Sequence, residues 1–263
     1  MLLCPVCAQP LTRRDHTMCC GKGHSFDIAK EGYVNLLRSN KNGDKIGDDK
    51  YSARSRRDFL NKGYYEPLKD ALCRIFEDRQ GSVLDICCGE GYYTSALGEN
   101  PNLQVFGFDI AREMVRLAAK RGKGTYFVAN MASIPVADGS FDYATHLFAP
   151  FNELEFARIL RPGGSLYTVI PGEYHLFGLK QALYDTPYSN DEKLPETKLL
   201  QLVGTKKITA HITLASAEDV ESVFRMTPYY FHTSQTDREK LSTYQTLETP
   251  IEFVIAHYQK PEV

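Results

Sequence analysis

From residue 82 onward, short apolar runs alternate with stretches whose apolar positions recur at helical spacing. Ser82–Ile86, Gln104–Phe108, Tyr126–Ala129, Phe141–Phe148 and Ser165–Ile170 have strand length and an apolar character suited to buried strands. Between them, Tyr92–Leu97, Ala111–Arg121 and Glu153–Leu160 carry helical periodicity, and Gly98 is placed to end the first. Strands alternating with helices of about ten residues predict a parallel sheet with crossover helices. Lys206–Leu214 alternates with period 2, Ala217–Phe224 is helical, and Ile251–Tyr258 forms a last strand. Paired as a hairpin, the two late strands would add an antiparallel edge.

Upstream the pattern differs. Residues 1–37 form a head rich in Cys and His. Residues 38–50 are polar with two glycines and read as a mobile linker. Helical periodicity returns through Phe59, Leu60, Leu68, Leu72, Ile75 and Phe76. The expected division is a head at 1–37, a linker and connecting helix at 38–62, and a large domain at 63–263.

Apolar residues make up 43% of the 263 residues, enough for a sizeable core. No run approaches the ~18 apolar residues of a membrane span. The first residues lack the charged and apolar regions of a secretion signal, so a cytoplasmic protein without membrane contact is expected. The net charge of −2 points to no partner by itself, but residues 1–62 hold 12 Lys/Arg against 7 Asp/Glu. A basic N-terminal quarter on an acidic body fits either a localised anionic contact or a merely solvated surface.

The run Val83-Leu84-Asp85-Ile86-Cys87-Cys88-Gly89-Glu90-Gly91-Tyr92-Tyr93-Thr94 ends the first strand and opens a helix. Gly89 and Gly91 allow a sharp turn and close approach to a ligand, and the helix start offers free N–H groups. A dinucleotide site asks for G-x-G-x-x-G, and Thr94 occupies its third glycine position. An acid four residues before Gly89 instead suits the zwitterionic methionyl end of S-adenosylmethionine, with Asp85 meeting its ammonium. Asp109, at the tip of the second strand, can accept both ribose hydroxyls, or serve only as a helix cap. Asn130 and Met131, after the third strand, are placed to read and flank adenine, or are simple loop residues. Arg161-Pro162-Gly163-Gly164 is a tight turn before the fifth strand. This ordered set predicts an α/β fold of the class I Rossmann-like methyltransferase type: a mostly parallel seven-stranded sheet with an antiparallel edge, plus a small N-terminal zinc-binding module.

The metal expectation rests on Cys4-x2-Cys7, followed after 12 residues by Cys20-x3-His24. Three thiolates and an imidazole match tetrahedral zinc, and four protein ligands leave no open position, so the ion would be structural. Cys19 is a neighbouring alternative to Cys20, which the spacing to His24 favours. A head of this size cannot build a core alone, so the metal would supply much of its folding free energy.

With both parts in place, the chain resembles the bacterial guanine-N1 methyltransferases of 23S ribosomal RNA. The zinc head followed by Phe26-Asp27-Ile28-Ala29-Lys30-Glu31-Gly32-Tyr33-Val34-Asn35-Leu36-Leu37, joined to Asp85–Thr94, carries the resemblance. It implies a guanine in a hairpin of domain II near the exit tunnel as target, a link to macrolide susceptibility in one branch, and a homodimer whose heads flank an RNA cleft. It further implies cofactor contacts at Tyr65, Gly89, Glu90 and His175, beside Gly91 and Tyr92 of the same turn, and zinc ligands at Cys4, Cys7, Cys20 and His24. Two positions depart from what such enzymes carry. Cys87 replaces a common glycine, and Phe148-Ala149-Pro150-Phe151 stands where many amino-methylating enzymes have Asn-Pro-Pro-Tyr. Phe151 would stack on a flipped base or pack in the core.

Guanine N1 must lose a proton, so a nearby acceptor would help. His146, Glu153, Glu173 and His175 lie in or after the fourth and fifth strands, with His146 and Glu173 as the foremost candidates. Arg13, Arg14, Lys22, Lys30, Arg54, Arg56 and Arg57 are candidates for phosphate contacts. Two rivals stand beside this reading. One is methylation of a small quinone or lipid precursor, which leaves the head unexplained. The other is a non-enzymatic zinc-dependent nucleic-acid-binding protein, against which the intact cofactor set argues.

Overall fold

The structure, a computed structural model, describes residues 2–37 and 50–262, with side chains from residue 54 onward in the second stretch. Most of the expected linker at 38–50 lies outside the described residues. The head folds as an antiparallel sheet of β1 (Leu11–Arg14), β2 (Thr17–Cys20) and β3 (Ser25–Asp27). A two-residue strand, β4 (Val34–Asn35), follows.

Two helices follow, α1 (Lys50–Asn61) in the expected connecting stretch and α2 (Glu66–Phe76) in the large domain. Strand and helix then alternate: β5 (Gly81–Ile86), α3 (Tyr92–Leu97), β6 (Leu103–Asp109), α4 (Arg112–Arg121), β7 (Thr125–Val128), β8 (Phe141–Leu147), α5 (Glu153–Ile159) and β9 (Leu160–Pro171). The remainder is α6 (Phe177–Leu183), β10 (Gln201–Leu214), α7 (Ala217–Arg225), a short 3-10 turn at Pro228–Phe231, α8 (Gln235–Leu241) and β11 (Leu247–Gln259). No helix among the described residues is long and apolar enough to cross a membrane.

The main sheet runs β10-β11-β9-β8-β5-β6-β7-β4. Strands β4 to β9 pair parallel, while β11 lies antiparallel on β9 and β10 antiparallel on β11, which is the expected late hairpin. The count is eight strands and not seven. The extra one is β4, whose Val34 and Asn35 pair with Phe127 and Val128 of β7. Two residues are too short to show a period of 2, so the sequence pattern does not reveal the strand. Burial of Val34 between sheet and head explains why it forms.

Strand alternation divides the core. In β5, Val83 faces a cluster with Tyr65, Leu68 and Leu179, whereas Leu84 and Ile86 face one shared with the head. That second cluster joins Leu2, Leu11, Val34 and Leu36 to Phe108, Phe127 and Ile134. Leu2 also bridges to Val136, and the Leu3 N–H donates to the Pro135 carbonyl at 2.8 Å. The head therefore completes the core of the large domain, and is seated against the segment that follows Met131.

Candidate functional site

Two knuckles build the metal centre. In each, an N–H closes a turn onto a cysteine carbonyl: Ala8 onto Cys4 at 2.8 Å and Gly23 onto Cys20 at 3.1 Å. Gly23 has φ +84°, a conformation that favours glycine. The turns aim Cys4, Cys7, Cys20 and His24 at one point, with their ligand atoms all within 4.8 Å of one another. Cys7 Sγ lies 3.6 Å from Cys20 Sγ, and His24 Nδ1 lies 3.6 Å from Cys4 Sγ and 3.4 Å from Cys20 Sγ. A tetrahedral zinc with bonds of about 2.0–2.3 Å requires edges of roughly 3.5–3.8 Å, so this donor set fits the ion. Burial opposes ionisation of Cys20, yet the N–H groups of Lys22 and His24 and the His24 ring bring its pKa down to about 6. Cys19 turns away to Thr17 Oγ1 at 3.4 Å and is not part of the cluster.

At the carboxyl edge of the main sheet, the loops after β5, β6 and β7 converge. The Gly89 N–H donates to Asp109 Oδ2 at 3.1 Å and the Ala111 N–H to Oδ1 at 2.8 Å. Asp109 thus caps α4 and ties two loops together, and its half-exposed carboxylate keeps lone pairs for hydroxyl donors. A Cβ on Gly89 would meet nothing within 4 Å, so the crevice beside it is open. Cys87 adopts φ +57° and places its sulfur 3.8 Å from Met131 Sδ. Exposed Asn130 accepts the Ala132 N–H at 2.9 Å through its side chain.

Several expected cofactor side chains do other work. Asp85 is only 2% exposed, and its two oxygens accept the hydroxyls of Thr94 and Thr145. Burial raises its pKa to about 6. It braces the loop from within, so direct pairing with an ammonium does not follow from its placement. Glu90, 1% exposed, accepts from Arg121 Nε at 2.6 Å and Nη2 at 2.8 Å and ties the turn to α4; only its backbone is left for a ligand. Gly91 is needed for packing, because a Cβ there would lie 2.7 Å from Ala118 Cβ. Tyr92 packs beneath the Arg121 and Lys69 cations at 5.5 and 5.9 Å.

Tyr65, at the start of α2, and His175, after β9, do meet. Tyr65 Oη lies 3.1 Å from His175 Nε2, and the Glu252 N–H donates to His175 Nδ1 at 3.3 Å. An accepting Nδ1 in a neutral ring leaves the proton on Nε2, which donates to Tyr65. Burial lowers the His175 pKa to about 3, so the ring is neutral. The Tyr65 hydroxyl hydrogen is left to donate elsewhere. This pair borders a cavity of about 490 Å³ at the ends of β8 and β9. Phe148, Asn190 and Tyr229 also line it. None of these three was singled out from the sequence for this role. Phe148 stood in a noted motif, but its φ of +55° and its 41% exposure are not readable from a phenylalanine.

The foremost base candidates are not gathered there. His146 lies on the opposite face of the sheet, buried against Phe156, with its Nε2 3.1 Å from the Pro150 carbonyl. Burial lowers its pKa to about 4, and it is a core residue holding the loop after β8. Glu153 accepts three N–H groups, from Lys198, Leu199 and Leu200. Phe151 packs on His146, Phe156 and Tyr258, which makes it a core residue and not an exposed platform. Glu173 stays half-buried outside the cavity lining, and its carboxylate accepts no hydrogen bond among the described residues. Arg13, Arg14, Lys22 and Lys30 are exposed on the head, whereas Arg54 and Arg57 pair with Asp58.

A parallel sheet with an antiparallel edge, a glycine turn at the tip of its first central strand and an acid at the tip of the next define a class I methyltransferase domain carrying an N-terminal zinc ribbon. Residues 2–43 match the family described as RlmA, N-terminal, and residues 83–164 match the methyltransferase domain family. The chain is 37% identical over 190 residues to the 23S rRNA (guanine(748)-N(1))-methyltransferase of Streptomyces fradiae, covering 69% of this chain and 67% of that one. A Bacillus subtilis (strain 168) protein provisionally named as a 23S rRNA (guanine-N(1)-)-methyltransferase is 32% identical over 207 residues, 72% of each chain. The chain belongs to this family of 23S rRNA (guanine-N1)-methyltransferases. The fold also matches a chain of the complex between the Haloferax volcanii Trm112 methyltransferase activator and its methyltransferase, with a TM-score of 0.51 and 19% identity over 82% of this chain and all of that one.

Proposed function

We propose that this chain methylates N1 of a guanine in a hairpin of 23S ribosomal RNA, the domain II hairpin near the exit tunnel that the family resemblance implies. The observation that supports it most is the seating of the ribbon. Strand β4 and the Leu2–Val136 bridge attach the head to β7 and to the segment after Met131, beside the donor crevice. A basic hairpin tip at Arg13 and Arg14 is thereby held at a set distance from the methyl donor, as a shape-reading RNA enzyme requires.

Asp109 would hold the ribose hydroxyls of S-adenosylmethionine, Asn130 and Met131 the adenine, the backbone of Gly89 and Glu90 the methionyl end, and the Tyr65 hydroxyl its carboxylate. Bound there, the donor would supply an electrophilic methyl group for N1, the carbon–sulfur electron pair staying with sulfur. His146 and His175 have their ring nitrogens committed or buried away from the cavity. Glu173, two residues from His175 and outside the cavity lining, is assigned the N1 proton by way of a bridging water.

The test is direct. Purified protein with labelled donor is offered 23S rRNA transcripts and a reduced quinone precursor in parallel, and primer-extension stops are mapped. Label in one guanine of the RNA supports the proposal; label only in the quinone overturns it.

A further inference from the structure

Resting on that reading, we propose that the cavity of about 490 Å³ beside Tyr65 and His175 is the acceptor pocket, in which the extruded guanine stacks on Phe148 and is hydrogen-bonded by Tyr229.

Phe148 is the first residue after β8 and holds φ +55°. A bulky side chain in the left-handed region costs about 1–2 kcal/mol and persists only where surrounding structure imposes it. Here the Phe148 N–H donates to the Val169 carbonyl at 3.2 Å, which pins the turn. The result is an aromatic face 41% exposed at the carboxyl edge, while Phe151 of the same turn is packed away. The ring packs on Phe253 at 5.7 Å on one side and leaves the rest open, a surface that a stacked base would cover.

Tyr229 supplies a second, independent observation. Tyr229 lines the cavity, and its buried hydroxyl makes no hydrogen bond of good geometry among the described residues, with the Thr227 side chain as its polar neighbour. A buried hydroxyl without a good hydrogen bond costs free energy that a ligand's polar edge would recover. The volume falls within the range of about 300–1,000 Å³ usual for small-molecule sites, ample for one purine. Tyr65 and His175 also line the cavity, so it adjoins the assigned cofactor contacts. A flat aromatic face, one polar group and a neighbouring donor are the parts that base-extruding enzymes need.

The experiment compares wild type with Phe148→Ala, Phe148→Tyr and Tyr229→Phe. Readouts are kcat/KM for the rRNA transcript, calorimetric affinity for S-adenosylmethionine, and melting temperature. Phe148→Ala is expected to lower kcat/KM about tenfold to hundredfold. Its cofactor affinity should stay within twofold and its melting temperature unchanged, with Phe148→Tyr restoring activity. Tyr229→Phe is expected to lose about fivefold to tenfold. Full activity of Phe148→Ala overturns the assignment, as does a parallel loss of cofactor affinity, which would make the cavity part of the donor site. Wild-type protein that labels no RNA overturns the underlying reading instead, and the two failures are thereby distinguished.

Discussion

Tyr65 Oη and His175 Nε2 lie 3.1 Å apart, although 110 positions separate the two residues in the chain. The contact forms because α2 and the turn after β9 pack on the same face of the sheet, with Phe253 of β11 against both rings at 5.0 and 4.7 Å. The main-chain N–H of Glu252 selects the imidazole tautomer. A buried neutral histidine thus fixes a tyrosine side chain at the edge of the cavity, and it does so without acting as a base.

Buried histidines set the acid limb of stability. His175 and His146 have folded pKa values lowered to about 3 and about 4 by burial. Below about pH 6.5 the unfolded chain protonates both rings and the folded chain does not, so stability falls with pH. Asp85 acts with the opposite sign, because its pKa, raised to about 6, lets the folded chain take up a proton first. Between about pH 6 and 5 the net is one proton, or about 1.4 kcal/mol lost per pH unit. Asp85→Asn removes the counterweight, so urea unfolding over this window should show a slope about twice as steep.

Zinc removal should reach beyond the head. Leu2, Leu11, Val34 and Leu36 share a core cluster with Phe108 and Phe127. Cys20→Ser should abolish stoichiometric zinc, measured by plasma emission, and lower the melting temperature of the whole chain. Cys19→Ser, outside the ligand set, should keep both zinc and melting temperature. A normal melting curve for zinc-free protein would refute the shared core.

The two glycines of the turn should separate stability from binding. Gly91→Ala places a Cβ 2.7 Å from Ala118 Cβ at φ +79°, so a loss of about 2–4 kcal/mol in unfolding free energy is expected. Gly89→Ala meets open space at φ +55° and should cost only about 1 kcal/mol. Its main effect should be weakened S-adenosylmethionine binding by calorimetry. Equal stability losses would count against this division.

Arg13 and Arg14 stand exposed at the tip of the β1–β2 hairpin, without an ion-pair partner among the described residues. Reversing both, Arg13→Glu with Arg14→Glu, should weaken rRNA binding and reduce the salt slope by about 1–2. Cofactor affinity should not change. Unaltered RNA binding at both low and moderate salt would remove these residues from the interface.

Glu173→Gln should lower kcat for the transcript about tenfold or more at neutral pH, with KM little changed, if the carboxylate takes the N1 proton. A raised pH optimum in this variant would mark the replacement of the carboxylate by solvent. An identical pH profile would assign the proton to water in the wild type as well.

Local order was legible wherever chemistry and period coincide in one stretch of chain. The α3 limits, the two late strands taken singly, and the grouping of Cys20 rather than Cys19 with Cys4, Cys7 and His24 follow from spacing, since a knuckle, a helix or a strand is made of neighbours. Side-chain partners were not legible. Asp85 sits near the end of its strand and Glu90 in the loop as expected, yet Thr145 and Arg121 claim their carboxylates from another strand and a helix. Phe148 and Phe151 are three residues apart and chemically identical, and only the backbone turn exposes one and packs the other against the core.

By itself, then, the sequence determined the strand–helix alternation, the glycine turn, the acid at the next strand's tip and the two Cys/His knuckles, because each depends on contacts within a few residues. The tertiary structure alone decided that the head would lend an eighth strand to the sheet, that His146 and His175 would lie on opposite faces, and that Tyr65 would meet His175. Those outcomes depend on which surfaces pack together across a hundred residues, and the free energy of that packing is a property of the assembled core.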